Sequence, residues 1–171
     1  MALKIDLSKA YDRVSRTYLR VILSKMGFSG LFISWVMSSL TSVSFAILIN
    51  GADSTFFKAG RGLRQGCPLA PLLFLIIAEG LSRALYCAKD EGIYHGISFG
   101  NNISLTHVLF VDDVIMVSDG SEQYLSSLYE ILLIYCKASG MQINEKKSAL
   151  YHSGLDDMRS SLYIIFSLFL W

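Results

Sequence analysis

At 171 residues the chain has room for one domain with a full hydrophobic core, and 53% apolar against 17% charged residues argues against disorder. The formal net charge of +1 conceals an asymmetry, because residues 1–64 hold nine Lys and Arg against three Asp and Glu, and residues 65–171 hold six against eleven. A basic surface for a polyanion and an acidic surface for a metal are both permitted. Cys67, Cys87 and Cys136 form no CxxC pair, and none of His95, His107 and His152 stands at a zinc spacing from them, which argues against a disulfide framework and a zinc site.

The alternation of residues 3–7 predicts a short strand with Leu3, Ile5 and Leu7 on one face and Lys4 and Asp6 on the other. A helix follows, with Ser15 as N-cap and Gly27 as stop, and a second spans residues 31–40 with Trp35. Residues 43–49 and 55–58 read as strands joined at Asn50-Gly51, a two-residue hairpin signal. After a loop punctuated by Gly60, Gly62, Gly66, Pro68 and Pro71, an apolar helix runs over 72–89. Strands are expected at 93–99 and 103–110 around Gly100-Asn101-Asn102, and at 114–118 after Asp112-Asp113. A helix at 122–139 with Ser121 as N-cap and Gly140 as stop comes next, then strands at 141–144 and 148–152. This order of elements implies one α+β domain. The apolar runs at 71–78 and 162–171 fall short of the roughly 20 residues that span a bilayer. With charge at Lys4 and Asp6 there is no secretory apolar region, so no membrane association and a reduced, intracellular setting are expected.

Four segments could carry chemistry. Asp6, followed by Lys9, Tyr11 and Asp12, sits at a strand end, where a carboxylate suits Mg²⁺, but read alone it equally suits a solvated junction. Asp112 and Asp113 interrupt an apolar, β-branched run; a bland turn competes with a buried-looking hairpin whose like charges need a cation. Gly60 to Pro71, with Arg61, Arg64 and Gln65, enters a helix N-terminus and suits a phosphate or base. Lys146 and Lys147, after Gly140-Met-Gln-Ile-Asn-Glu, could balance a leaving group's charge or be a solvated pair.

Taken in order, these motifs resemble the reverse transcriptase of non-LTR retrotransposons, the LINE type of plant genomes, over about residues 2–152. The resemblance implies a polymerase palm, a ferredoxin- or RRM-like antiparallel sheet backed by helices, in residues 1–152, with 153–171 an off-pattern apolar tail outside the domain. It implies that Asp6, Asp112 and Asp113 hold two Mg²⁺ ions, with Mn²⁺ as an alternative, Asp112 being the firmer ligand of the pair. Tyr11 then corresponds to the aromatic gate that disfavours a 2′-hydroxyl, and Arg64, Gln65 and Gly66 to the lining of the nascent base pair and template. Lys147 corresponds to the lysine near the leaving pyrophosphate. The implied partners are an RNA template, a DNA primer and deoxynucleoside triphosphates, without a protein partner, and the nucleus is favoured over the cytoplasm.

Val111 departs from the alanine frequent in this family. Fingers and thumb are expected to be missing on either side of this stretch, so these residues by themselves are expected not to polymerise. The alternative of a different class is a catalytically dead, truncated remnant with weak nucleic-acid binding. A two-metal nuclease on the same aspartates would require neither the Arg64-Gln65-Gly66 loop nor the Tyr11 gate.

Overall fold

The structure, a computed structural model, describes residues 1–100 and 103–151. The turn expected at Asn101-Asn102, the strand end expected at His152 and the apolar tail expected at 153–171 lie outside the described residues.

The chain opens with β1 (Ala2–Asp6), a four-residue helical turn α1 (Ala10–Arg13), then α2 (Arg16–Lys25) and α3 (Gly30–Thr41). Ser15 caps α2 by accepting from the Tyr18 amide at 3.2 Å. At its other end the amides of Gly27 and Phe28 fold back to the carbonyls of Ser24 and Leu23, the pattern that satisfies a helix's last acceptors. Ser29 caps α3 in the same way, so the helix starts at Gly30, one residue earlier than expected.

A small hairpin of β2 (Leu48–Ile49) and β3 (Ala52–Asp53) turns at Asn50-Gly51, whose φ values of 52° and 84° are those a two-residue type I′ turn requires. The expected returning strand at 55–58 is shifted. Pairing starts at once with Ala52, and Phe45 later bridges Phe57. Two residues separate Ser54 from Phe57 where one separates Phe45 from Ile47, so a bulge interrupts the ladder.

The long helix α4 (Ala70–Asp90) starts with Pro71 in its first turn. Its length and apolarity would suit a bilayer, yet Leu73, Phe74, Ile77, Leu81 and Leu85 are buried in the protein's own core. Beyond it the expected strand at 93–99 is only β4 (Ile97–Phe99), because Ile93 is used to close the helix, its amide bonding to the Ala88 carbonyl. The expected strand at 103–110 splits at Thr106 into β5 (Ile103–Leu105), which pairs with β4, and β6 (His107–Phe110), which joins the main sheet. The fully buried Tyr94 ring holds this junction, with its hydroxyl against the carbonyls of Thr106 and Val117. Gly96 passes so close to the same junction that a Cβ there would lie 1.9 Å from the Leu105 carbonyl oxygen.

β7 (Asp113–Val117), α5 (Glu122–Ser139) and β8 (Ala149–Tyr151) complete the described chain. Ser121 stands at the N-cap of α5, but its side chain makes no capping bond. Asp119 instead accepts from the Ser121 amide at 2.9 Å. The strand expected at 141–144 is reduced to a single bridge between Leu7 and Ile143.

The main sheet has the order β6–β7–β1–β8 with every pair antiparallel. Leu3, Ile5 and Leu7 of the first segment and Val114 and Met116 of β7 form one face, buried with Leu19 and Leu23 of α2, the inner stripe of α4, and Leu128, Leu132 and Tyr135 of α5. The fold is therefore α+β, an antiparallel sheet with helices on one side. The opposite face is open and carries Lys4, Asp6, Asp113 and Ile115, with Val108 and Phe110 beside them. The three cysteines are free, and burial pushes the Cys136 thiol up to about 11, which keeps it protonated and inert at neutral pH.

His107 ties the sheet to α4. Its ring nitrogens lie 2.8 Å from Thr106 Oγ1 and 2.8 Å from Ser82 Oγ, and its edge meets the Tyr86 ring. Burial lowers its pKa, partly opposed by Glu79. The folded state thus disfavours the imidazolium relative to the unfolded chain, and the contribution is present above the ordinary value of 6.5 and lost as pH falls through that value toward the lowered one. The denaturation midpoint is expected to drop between pH 7.5 and pH 5, and His107→Gln is expected to shrink that drop. Urea titrations of both proteins at the two pH values measure it, and an unchanged drop in the variant would remove His107 as its source.

Candidate active site

The open face gathers the acidic residues at one end of the sheet. Register sets Asp6, the last residue of β1, directly opposite Asp113, the first residue of β7, and the Leu7 amide donates to the Asp112 carbonyl at 3.0 Å. Residues 107 apart in sequence are thus neighbours through strand pairing alone. The two-residue turn between β6 and β7 is Val111-Asp112, so Asp113 belongs to the strand and not to the turn. The expected burial of this hairpin is corrected too: Phe110 is 75% exposed and Asp112 lies at the surface. Val111 has φ 54°, a left-handed conformation that costs a β-branched residue about 1–2 kcal/mol.

A second segment braces Asp6. The Asn144 amide donates to the Asp6 carbonyl at 2.8 Å, the Asp6 amide donates to Ser148 Oγ at 3.1 Å, and that hydroxyl donates to the Asn144 carbonyl at 2.8 Å. Lys147 stands within this Asn144–Ser148 turn, exposed, its amide bonded to the Asn144 carbonyl. Asn144 and Ser148 form the brace, and a bare Asn-Glu-Lys-Lys-Ser string gives no sign of the strand it folds back upon.

Tyr11, in α1, stacks on Phe74 with ring centroids 4.8 Å apart and planes 18° apart. Beside it lies a cleft of about 440 Å³ lined by Tyr11, Gln65, Gly66, Pro68 and Pro71 among others. The Gln65 amide donates to Asp12 Oδ1 at 3.0 Å. Arg64 lines a neighbouring cleft of about 470 Å³ with Asp12, Arg16 and Arg61. Arg16 is committed to structure, since its guanidinium donates to the carbonyls of Ala59 and Gly62 at 2.7 and 3.2 Å. The loop lies flush on the α1 segment because residue 62 is glycine; a Cβ there would meet the Asp12 carbonyl oxygen at 2.7 Å.

Among the described residues, no three His, Cys, Asp or Glu side chains are gathered closely enough to hold a metal ion by themselves, so the three aspartates do not form a closed ligand set. One of the three is already paired: Asp113 Oδ1 lies 3.3 Å from Lys4 Nζ. The carboxylates of Asp6 and Asp112 have no hydrogen-bond or ion-pair partner among the described residues. Two uncommitted carboxylates at adjoining positions fit a hard cation such as Mg²⁺, which takes one or two carboxylates and completes its shell with water and substrate phosphates.

Residues 1–165 match the family described as reverse transcriptase (RNA-dependent DNA polymerase). The chain belongs to the reverse transcriptase family. Among its relatives, a 149 kDa protein of transposon TX1 from Xenopus laevis is 28% identical over 147 residues, which cover 86% of this chain and 11% of that protein. A retrovirus-related Pol polyprotein of the type-1 retrotransposable element R2 from Popillia japonica is 27% identical, covering 85% of this chain and 23% of the relative. An uncharacterized mitochondrial protein of Arabidopsis thaliana is 34% identical over 112 residues. The chain thus spans less than a quarter of the first two relatives. An apo telomerase structure from Candida tropicalis superimposes with a TM-score of 0.70 at 14% identity, covering 91% of this chain and 31% of that one. This reverse transcriptase domain therefore shares the fold of that part of telomerase, and two of its relatives are proteins of a transposon and a retrotransposable element.

Proposed function

We propose that this domain is the catalytic palm of an RNA-directed DNA polymerase, transferring deoxynucleotides to a primer 3′-hydroxyl on an RNA template. The observation that carries the reading is the pairing of β1 with β7, which sets Asp6 opposite Asp113 on the sheet's open face, with Asp112 in the adjoining turn, in a chain of this family. In the reaction the 3′-oxygen forms a bond to the α-phosphorus, the bond to pyrophosphate breaks, and the hydroxyl proton passes to solvent water. Asp6 and Asp112 would hold Mg²⁺, which when bound supplies charge stabilisation at the attacking and leaving oxygens. The Asn144–Ser148 brace fixes the Asp6 backbone, so the carboxylate is positioned before substrate arrives. Lys147, in that brace, would face the departing pyrophosphate. The apolar part of the open face, with Val108, Phe110 and Ile115, offers a surface for the primer–template duplex.

The cleft between Tyr11 and the Gln65–Gly66 loop would take the sugar and base of the incoming nucleotide, with Arg64 toward the template. Because the Tyr11 ring is held by its stack on Phe74, it cannot yield to an extra hydroxyl cheaply. With residues 1–151 exchanged for the corresponding segment of an active non-LTR polymerase, primer extension on RNA is expected. Tyr11→Val is expected to raise ribonucleotide use relative to deoxynucleotide use by at least about tenfold, the effect of roughly 1.4 kcal/mol of lost discrimination. No extension by the exchanged protein would refute the polymerase reading; extension with unchanged sugar preference would refute only the gate.

A further inference from the structure

The ion pair between Lys4 and Asp113 gives the acidic site an internal cation of its own. Asp6 and Asp113 are direct cross-strand neighbours, and like charges so placed repel. Lys4 precedes Asp6 by two residues and so shares its face, while its own register partner is Ile115. The lysine reaches diagonally across to Asp113, and its Nζ stands 3.3 Å from Oδ1. Both side chains keep more than a third of their surface exposed, so the pair adds little to stability. Its consequence lies in ligand choice: of the three carboxylates at this end of the sheet, Asp113 is the one already engaged, and Asp6 and Asp112 have no partner among the described residues.

We propose that Lys4 is a positioning residue that holds Asp113 out of the metal-ligand set, so that the domain binds its divalent cation through Asp6 and Asp112. The inference rests on the metal-site reading above. The ammonium offsets the Asp6–Asp113 repulsion while no metal is bound, and it engages the Asp113 carboxylate that would otherwise be available to the cation. It also lowers the negative potential that a divalent cation meets, so affinity is set lower than three free carboxylates would give.

Mn²⁺ binding to the 171-residue chain, followed by electron paramagnetic resonance, tests this without any activity assay. Asp6→Asn and Asp112→Asn are expected to weaken binding at least tenfold, whereas Asp113→Asn changes it less than about twofold. Lys4→Met is expected to tighten binding at least threefold, because Asp113 is released to ligate, and Asp113→Asn added to Lys4→Met is then expected to cost tenfold. Lys4→Arg, which keeps the cation, is expected to behave as the parent. A loss in Asp113→Asn as large as in Asp112→Asn, or unchanged or weaker binding in Lys4→Met, would overturn the role of Lys4 while leaving the metal site standing. Absence of saturable Mn²⁺ binding in the parent chain, or its indifference to Asp6→Asn and Asp112→Asn, would overturn the metal-site reading itself. Should Lys4→Met fail to fold, as seen by far-ultraviolet circular dichroism, the Asp113→Asn comparison in the parent background still decides.

Discussion

Asp112→Asn is expected to lower the rate of primer extension at least about a thousandfold in the exchanged polymerase, with little change in the KM for nucleotide. The substitution keeps size and shape, so the Val111-Asp112 turn and the register of β6 with β7 should survive it. It removes one of the two carboxylates at the head of the sheet that have no partner among the described residues. Charge stabilisation by a bound divalent cation is worth several kcal/mol in the transition state. Loss of about 4 kcal/mol of it corresponds to about three powers of ten in rate. Because that stabilisation develops with the transferring phosphoryl group, the loss should fall on kcat more than on KM. Glu130→Gln, an exposed charge on α5 away from the sheet, is the control and is expected to extend as the parent does. Single-turnover extension in Mg²⁺ measures both. More than a tenth of parental activity in Asp112→Asn would remove Asp112 from the metal site.

Gly96→Ala is expected to cost at least about 3 kcal/mol of stability, equivalent to a fall in Tm of about 6–12 °C for a domain of this size. The added Cβ would lie 1.9 Å from the Leu105 carbonyl oxygen and 2.8 Å from the Thr106 Cα. Both obstacles are backbone, so no rotamer change relieves them, and overpacking of this kind costs about 1–3 kcal/mol or more. The chain must move where Tyr94 is pinned to Thr106 and Val117, the junction that delivers β6 into the main sheet. Gly30→Ala, at the first position of α3 with nothing within 4 Å of the added carbon, is the matched control and is expected to be neutral or slightly stabilising. Thermal denataturation followed by circular dichroism compares the two, and equal midpoints would show that strands β4 and β5 are free to separate from the core.

Much of this molecule is written in local sequence. The alternation Leu3, Ile5, Leu7 against Lys4, Asp6 identifies the buried and open faces of β1, because a strand's side chains point alternately to either side of the sheet. Ser15 and Gly27 bound α2, and Asn50-Gly51 makes the one turn whose two positive φ values it suits, because caps and tight turns are satisfied by groups within a few residues. The four ordered motifs identify the family for a related reason: each is a short string whose chemistry is intact when read alone. Local pattern fails where one residue serves two neighbours. Ile93 has the composition of a strand but closes α4, and the continuous apolar run at 103–110 is divided because Thr106 leaves one sheet for another.

The site itself is a tertiary fact. The family resemblance groups Asp6 with Asp112 and Asp113, but nothing near Asp6 in sequence announces that Asp113 will be its cross-strand partner, that Asn144 and Ser148 will brace its backbone, or that the lysine two residues earlier will take up one of the three carboxylates. Lys4 is legible as a residue on the Asp6 face; its partner is not, because the register of β1 with β7 is fixed by burial of Leu3, Ile5, Val114 and Met116 on the other side of the sheet. A shift of one residue would send that apolar set into solvent, so hydrophobic burial holds the register, and the register in turn brings the charges together. The sequence determined which residues could do chemistry and which family they belong to; the tertiary structure decided which carboxylates are left free to do it, because ion pairing acts through space between strands that the chain brings together only on folding.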